Sequence, residues 1–294
     1  YAFATEVPPA PPAVTERTFK GYLRPDGRVG TRNYLGVIST VNCSASTSKY
    51  ICQRIPEGTL DGFPNVDGVL PLTHKGGCGM QEDGLDHEQL NRVLSGFATH
   101  PNIGGYLLVG LGCEVGQAST LIQRKNLVQV EGLSSPEGGA GEQRPPTLTI
   151  QEEGGVAATI DAGIRAVLDL LPRLNAAQRT DQPLANLMLG TQCGGSDGNS
   201  GITANPALGG ASDLLVAQGG TVILGETPEI YGAEHLLTRR AVSREIGEKL
   251  IERIRWWKWY SSTFGAELNN NPTPGNKAGG LSTIYEKSLG AISK

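Results

Sequence analysis

The feature that most constrains this chain is a repeated order of segments. A short apolar, β-branched run ends in a glycine- or serine-rich turn, and a stretch with helical period follows. YLGVISTVNC (residues 34–43) is the first run, and SASTSKYICQRI (44–55) is its helix, with Ser44 or Ser46 as cap. VDGVLPLTH (66–74) is a second strand. DHEQLNRVLSGFATH (86–100) then carries Leu90, Val93, Leu94 and Phe97 at helical spacing. A third strand covers 106–111, and TLTI with the amphipathic stretch 155–171 supplies another strand–helix pair. The pattern restarts with a strand at 187–191, a helix in NPALGGASDLLVAQG, a strand in GTVILGETPEI and one helix over 234–259. Such alternation predicts an α/β fold with mostly parallel sheet, covered by helices on both faces.

Two α/β halves are expected. NAAQRTDQP reads as the boundary between residues 19–180 and 181–294, and GLSSPEGGAGEQRPP (132–146) reads as an internal loop. Residues 1–18, rich in alanine and proline and without an initiating methionine, read as a linker with further sequence ahead of it. Trp256, Trp257 and Trp259 are expected to anchor packing. The formal net charge is -4, and lysine and arginine are dispersed. That excludes a basic stripe for nucleic acid or a membrane surface. No apolar run approaches the ~20 residues of a membrane span.

The five cysteines are an odd number scattered through the chain, so a secreted disulfide framework is disfavoured and reduced, cytoplasmic thiols are expected. Their positions are informative. Cys43, Cys78, Cys113 and Cys193 each follow a predicted strand, whereas Cys52 falls inside a helix and reads as a small core residue. Ligands of parallel sheets bind beyond the carboxyl ends of the strands, so four thiols there are placed to converge. Three readings stand side by side. They are small buried residues; they hold a structural zinc, which the lack of CxxC pairs disfavours; or they hold iron or another soft metal, with an iron–sulfur cluster included. His74, Glu114, Asp197 and Glu226 are harder ligands or bases near them in sequence. A Cys78 nucleophile served by His74 is a further reading, but it leaves the other cysteines unexplained.

Other loops carry polar groups without a packing purpose. RPDGRVGTRN presents Arg28 and Arg32 beside Arg24, as an anion clamp would. Asn269, Asn270 and Asn271 suit a polyhydroxylated ligand, and Lys277 suits its carboxylate or a base role. GGCGM and QCGGSDG match neither phosphate-loop pattern.

Taken together, GYLRPDGRVGTRN, LPLTHKGGCGM, HPNIGGYLLVGLGCEVGQ, LGTQCGGSDGNSGITANPALG, ETPEIYGAEHLLTRRA and NNNPTPGNKAGGLSTIYEKSLGAI resemble the altronate/galactarate dehydratase family, in order and over most of the chain. The resemblance implies an iron(II)-dependent hydro-lyase that converts a sugar acid to a 2-keto-3-deoxy acid. It also implies a small β-rich N-terminal domain and a C-terminal continuation, neither present in this chain, whose second half is then incomplete at its C-terminal end. The same superfamily includes the large subunit of a sulfolactate sulfo-lyase, so a sulfo-lyase with a separate small subunit is one alternative. A non-catalytic fragment or binding module is the other. On the dehydratase reading, Cys43, Cys78, Cys113 and Cys193 hold the metal with help from His74 and Glu114. His74 is the first candidate base and Lys277 the second. Arg28 and Arg32 clamp a carboxylate, while Asp197, Asn205 and Asn269 to Asn271 read hydroxyls. A small-molecule sugar acid and a homo-oligomeric assembly are the expected partners.

Overall fold

The alternation of strands and helices becomes two α/β units in the computed structural model, which describes residues 2–3, 15–125, 127 and 145–294. The contacts divide the chain into Phe19–Gln182 and Pro183–Lys294, the latter with Tyr1–Thr18. Most of the expected linker 1–18 and of the expected loop 132–146 lies outside the described residues.

The first unit opens with β1 (Thr18–Leu23) and β2 (Val29–Gly30), an antiparallel hairpin. Its turn contains the Asp26-Gly27 pair, and Gly27 takes the positive φ that such turns require. There follow β3 (Tyr34–Ser39), α1 (Ala45–Gln53), β4 (Gly68–Leu72), α2 (Leu85–Ala98), β5 (Ile103–Gly110), α3 (Ala118–Lys125), β6 (Thr147–Thr149), α4 (Val156–Asn175) and β7 (Thr180–Pro183). The main sheet is parallel in the order β4-β3-β5-β6. A second, three-stranded sheet runs β2-β1-β7. The polar segment 21–33 and the expected boundary 175–183 contribute these short strands. Backbone pairing decides them, and they show no apolar alternation for a sequence reading to find.

Strand alternation sorts the core into two layers. Leu35, Val37, Leu107 and Val109 face α1 and α4, where Ile51, Val167 and Leu171 are fully buried. Ile38, Tyr106 and Leu108 face the other way, onto Leu94 and Ala98 of α2 and Leu121 of α3. The chain thus leaves β3 through α1 on one face to reach β4, then returns through α2 on the other face to reach β5. Right-handed crossovers require this arrangement. The strand order reverses between β3 and β5, and ligands of open α/β sheets bind at the carboxyl ends of strands at such a point.

The opposite end is closed by Asn33, fully buried. Its side-chain amide donates to the carbonyls of Asn65 and Leu174, and its carbonyl oxygen accepts from Arg24. Arg24 itself is buried, over the ring of Tyr22, and burial holds its guanidinium below the ordinary value. Cys52 packs half-buried against the α1–α4 layer as expected, and burial pushes its thiol up to about 12.

The second unit contains β8 (Met188–Thr191), α5 (Ala204–Ala217), β9 (Thr221–Leu224), α6 (Glu234–Thr238), α7 (Arg244–Thr263), α8 (Pro274–Ala278) and α9 (Ile284–Ile292). β8 and β9 pair in parallel through α5. Three expectations change here. The single helix 234–259 is two helices, because the Ser243 hydroxyl accepts from the Ile246 N–H and starts α7 afresh. The β8–β9 pair is not covered on both faces, since Met188 and Ile223 are exposed. The tryptophans do not anchor a core: Trp256 and Trp259 are 42% and 61% exposed, their rings meet at a tilt, and Trp256 stacks on Tyr260. No helix among the described residues is long and apolar enough to cross a membrane.

Candidate functional site

β3, β4 and β5 each deliver a cysteine just past their carboxyl ends, and in all three cases the thiol is exposed. Cys43 sits in a short turn after β3. Its thiol lies within hydrogen-bonding reach of Cys78 and in the electrostatic field of Cys113 and Glu114. Desolvation first, then these neighbours, push the Cys43 thiol above its ordinary value. Cys43 thus has Cys78 and Cys113 as neighbours, two of the three other strand-end thiols of the sequence pattern. Cys193, the fourth, belongs to the second unit. Its Sγ is 3.0 Å from the Ser196 hydroxyl, and its N–H donates to Glu226.

Backbone contacts bring the Cys78 loop onto the Cys43 turn. The Asn42 N–H donates to the Gly76 carbonyl at 2.9 Å. Gly77 has φ +103°, and a Cβ there would stand 3.0 Å from both the Thr40 carbonyl oxygen and the Val41 Cα. Only glycine lets the two backbones approach so closely.

His74 fastens the same junction. Its Nε2–H donates to the Ser39 carbonyl at 3.0 Å, and its Nδ1 accepts from the Gly76 N–H at 3.2 Å. Both nitrogens are engaged, which fixes one neutral tautomer. Burial, partly offset by carbonyls of Ser39 and Thr40, keeps the ring below its ordinary value. His74 is thus unprotonated near neutral pH, with its lone pair directed at Gly76.

Glu114 is buried and braces the Cys113 loop. One oxygen accepts from the Thr40 hydroxyl at 2.9 Å and the Leu111 N–H at 3.1 Å, and the other accepts from the Gly112 N–H at 2.6 Å. Burial opposes its charge, but these donors outweigh burial and hold the carboxyl below its ordinary value. A carboxylate so satisfied is a weak base.

Sequence reasoning passed over His87, which lies inside a helix period and looks like packing. It is buried on α2, takes a hydrogen bond from the Asp83 N–H, and lies 3.4 Å from where a Cβ on Gly116 would be. It thus stands between the loops of Cys78 and Cys113.

Arg28 and Arg32 are not brought to the thiols. Arg28 pairs with Asp26 in the β1–β2 turn, and Arg32 lies 3.8 Å from Asp67 just before β3. Arg32 is thus at the amino end of a strand whose carboxyl end carries Cys43, about 20 Å away for six residues of strand.

In the second unit a cavity of about 220 Å³ is lined by Asp197, Ser200, Asn205, Glu286 and Lys287. Asp197 Oδ1 accepts from the Ser200 hydroxyl and from the N–H groups of Ser200 and Asn199, which hold the carboxyl below its ordinary value. Of the asparagine triplet, Asn271 meets Lys287 and Glu229. Asn270 caps its own turn by accepting from the Glu267 N–H, and Asn269 accepts from the Ile284 N–H. Lys277 is exposed on α8. The sequence suggests Lys277 as a carboxylate partner or base because it follows the asparagine triplet. The buried lysine is Lys287, whose helical spacing in YEKSLG resembles ordinary surface.

The donor chemistry of Cys43, Cys78 and Cys113 suits a soft ion, since thiolates select zinc, iron or iron–sulfur centres. Among the described residues, no group of three His, Cys, Asp or Glu side chains is already arranged as a metal site.

Comparison with known proteins fits the two units. The second domain of D-galactarate dehydratase/altronate hydrolase matches residues 21–175, and the C-terminal domain of D-galactarate/altronate dehydratase matches residues 184–294. The chain belongs to the galactarate/altronate dehydratase family. It is 38% identical over its whole length to an altronate dehydratase of Bacillus subtilis, covering 56% of that protein. It is 39% identical, over 99% of its length, to the galactarate dehydratase (L-threo-forming) of Escherichia coli, covering 54% of it. A (2R)-sulfolactate sulfo-lyase subunit beta of Chromohalobacter salexigens is 30% identical over 95% of the chain, which covers 64% of that subunit. The chain thus spans about half the length of the two dehydratases.

Proposed function

We propose that this chain carries the chemistry of a hydro-lyase that dehydrates a sugar acid, of the galactarate or altronate kind, to a 2-keto-3-deoxy acid. The observation that carries the reading is its match, at 38–39% identity and without a break in domain order, to an altronate and a galactarate dehydratase.

Removing a C2 proton beside a carboxylate and expelling hydroxide from C3 are both hard in water. Iron(II) or an iron–sulfur cluster, held by Cys43, Cys78 and Cys113, would supply Lewis-acid polarisation of a substrate oxygen. Cys193 is left out of this set, because its thiol and N–H are engaged within its own unit. The protein's own groups prepare the rest. His74 is held in one tautomer at the junction of the Cys43 and Cys78 loops, so it accepts a proton at Nδ1 once Gly76 releases it. Glu114 fixes the Cys113 loop. Asp197 and Asn205 add polar groups suited to hydroxyls to a cavity that Ile202, Leu281 and Leu289 also line. Reduced thiols suit the cytoplasm, and a homo-oligomer or a separate small N-terminal subunit is compatible with these two units.

The test is turnover by the protein loaded anaerobically with iron(II). Galactarate and altronate are offered, and the 2-keto-3-deoxy product is assayed as its semicarbazone. Product is expected from one of them, and it should vanish when Cys43, Cys78 and Cys113 are together changed to serine while the melting temperature holds. Retained turnover in that variant would sink the thiol assignment. Sulfite released from (2R)-sulfolactate, with no keto acid from either sugar acid, would replace the dehydratase reading with the sulfo-lyase one. A pH–rate profile unmoved by His74→Gln would remove His74 as base.

A further inference from the structure

Lys287 lies on α9 with 6% of its surface exposed. A buried ammonium without partners costs several kcal/mol, and the fold supplies two acceptors. Glu229 Oε1 is 2.7 Å and Asn271 Oδ1 2.8 Å from Nζ, and the Asn271 amide donates to the same Glu229 oxygen at 3.1 Å. An ammonium has three donors, so one remains. The other Glu229 oxygen is buried and has no hydrogen-bond partner. Incomplete pairing of this kind is unusual for a purely structural ion pair, whose remaining lone pairs and protons need partners if it is to be stable.

Lys287 also lines the cavity of about 220 Å³ described above. Two carboxylates share that lining, and each is half used. Asp197 accepts through Oδ1 and Glu286 through Oε2, while their second oxygens accept nothing from the described residues. One cation donor and two free carboxylate oxygens repel a ligand carboxylate but suit hydroxyls, which both accept and donate. The volume admits at least a hydroxyl-bearing fragment of several heavy atoms.

We propose that this cavity binds the hydroxyl-bearing portion of the substrate. Lys287, positioned by Glu229 and Asn271, donates its third N–H to one hydroxyl oxygen, and Asp197 and Glu286 accept from hydroxyl protons. The assignment rests on the sugar-acid reading and adds to it the part of the molecule read here.

The test is calorimetric binding to the full chain, with galactarate, altronate and adipate as probes. Adipate has the length and charge of galactarate but none of its hydroxyls. Lys287→Met should weaken whichever sugar acid binds by roughly 10- to 100-fold, the range for a hydrogen bond to a charged group, and leave adipate unchanged. Because Lys287→Met strands Glu229, the paired variant Glu229→Gln/Lys287→Met is measured beside it, with thermal melts of both. Sugar-acid binding unchanged in the folded variants overturns the assignment and leaves the dehydratase reading standing. Equal loss for the sugar acid and adipate also overturns it, because the lysine would then act on the carboxylate or on the fold. A wild-type protein that binds neither galactarate nor altronate removes both readings together.

Discussion

The Thr40 hydroxyl and the Glu114 carboxylate meet at 2.9 Å, one from the segment after β3 and the other from the loop after β5. That contact ties together the two strand ends that flank the reversal in sheet order. Gly110 leaves the room for it, since a Cβ there would lie 2.6 Å from the Glu114 Oε1. The loops that carry Cys43 and Cys113 are therefore braced from behind by a buried carboxylate.

Glu114→Gln tests the brace. The amide nitrogen would face the Thr40 hydroxyl or a backbone N–H, so at least one charge-assisted bond is lost. The expected cost is about 2 kcal/mol, read as a shift of the urea midpoint with an unchanged slope. Thr40→Val should cost about 1 kcal/mol. The double variant should lose less than the sum of the two, because both remove the same contact. Strict additivity would show that the bond contributes nothing.

Gly77→Ala should part the Cys78 loop from the Cys43 turn. The new methyl meets the backbone at Thr40 and Val41, and φ +103° adds strain of its own. A loss of about 1–3 kcal/mol follows. The sharper readout is chemical. Cadmium added to the wild type should give a thiolate charge-transfer band that Gly77→Ala weakens, with the number of free thiols unchanged. An equal band in both proteins would mean that Gly77 does not set thiol proximity.

The five thiols should fall into kinetic classes. Cys43, Cys78 and Cys113 are exposed, Cys193 is half-buried, and Cys52 is half-buried with its thiol pushed up to about 12. The thiolate is the reactive form. A disulfide reagent at pH 8 should therefore label the three exposed cysteines first and Cys52 only after denaturation. Peptide mapping that found Cys52 among the early products would contradict the burial that separates it from the others.

What was legible in the sequence had a period or a topological position behind it. The strands β3, β4, β5, β8 and β9 are apolar runs and their helices carry a helical period, and the rule that ligands bind at strand ends then picked out Cys43, Cys78, Cys113 and Cys193, of which Cys193 lies in the second unit beside Ser196. Three kinds of feature left no such trace. β1, β2 and β7 are polar and exist through backbone pairing. The break before α7 depends on one serine. Lys287 and Glu229 are 58 residues apart, and nothing local in either segment marks a buried charge. Arg28 and Arg32 looked like a clamp because chain proximity was the only distance available. The structure turns Arg28 to Asp26 and sets Arg32 beside Asp67.

Asp197 gives a prediction in pH. Its carboxyl is held below the ordinary aspartate value of 3.8, first by the Ser200 hydroxyl and then by the N–H groups of Ser200 and Asn199. A carboxylate depressed in the folded state adds stability that is complete above the unfolded pKa and is lost as pH falls through the folded pKa. The melting temperature of the wild type should therefore exceed that of Asp197→Asn by a constant margin above about pH 5, and the margin should shrink toward about pH 2. Ser200→Ala removes the leading donor. It should shift the onset of that loss to higher pH and reduce the margin at neutral pH. The group is exposed, so the margin is small, and its pH profile is the measure. A margin that grew on acidification would mean that protonation, not charge, favours the turn between β8 and α5.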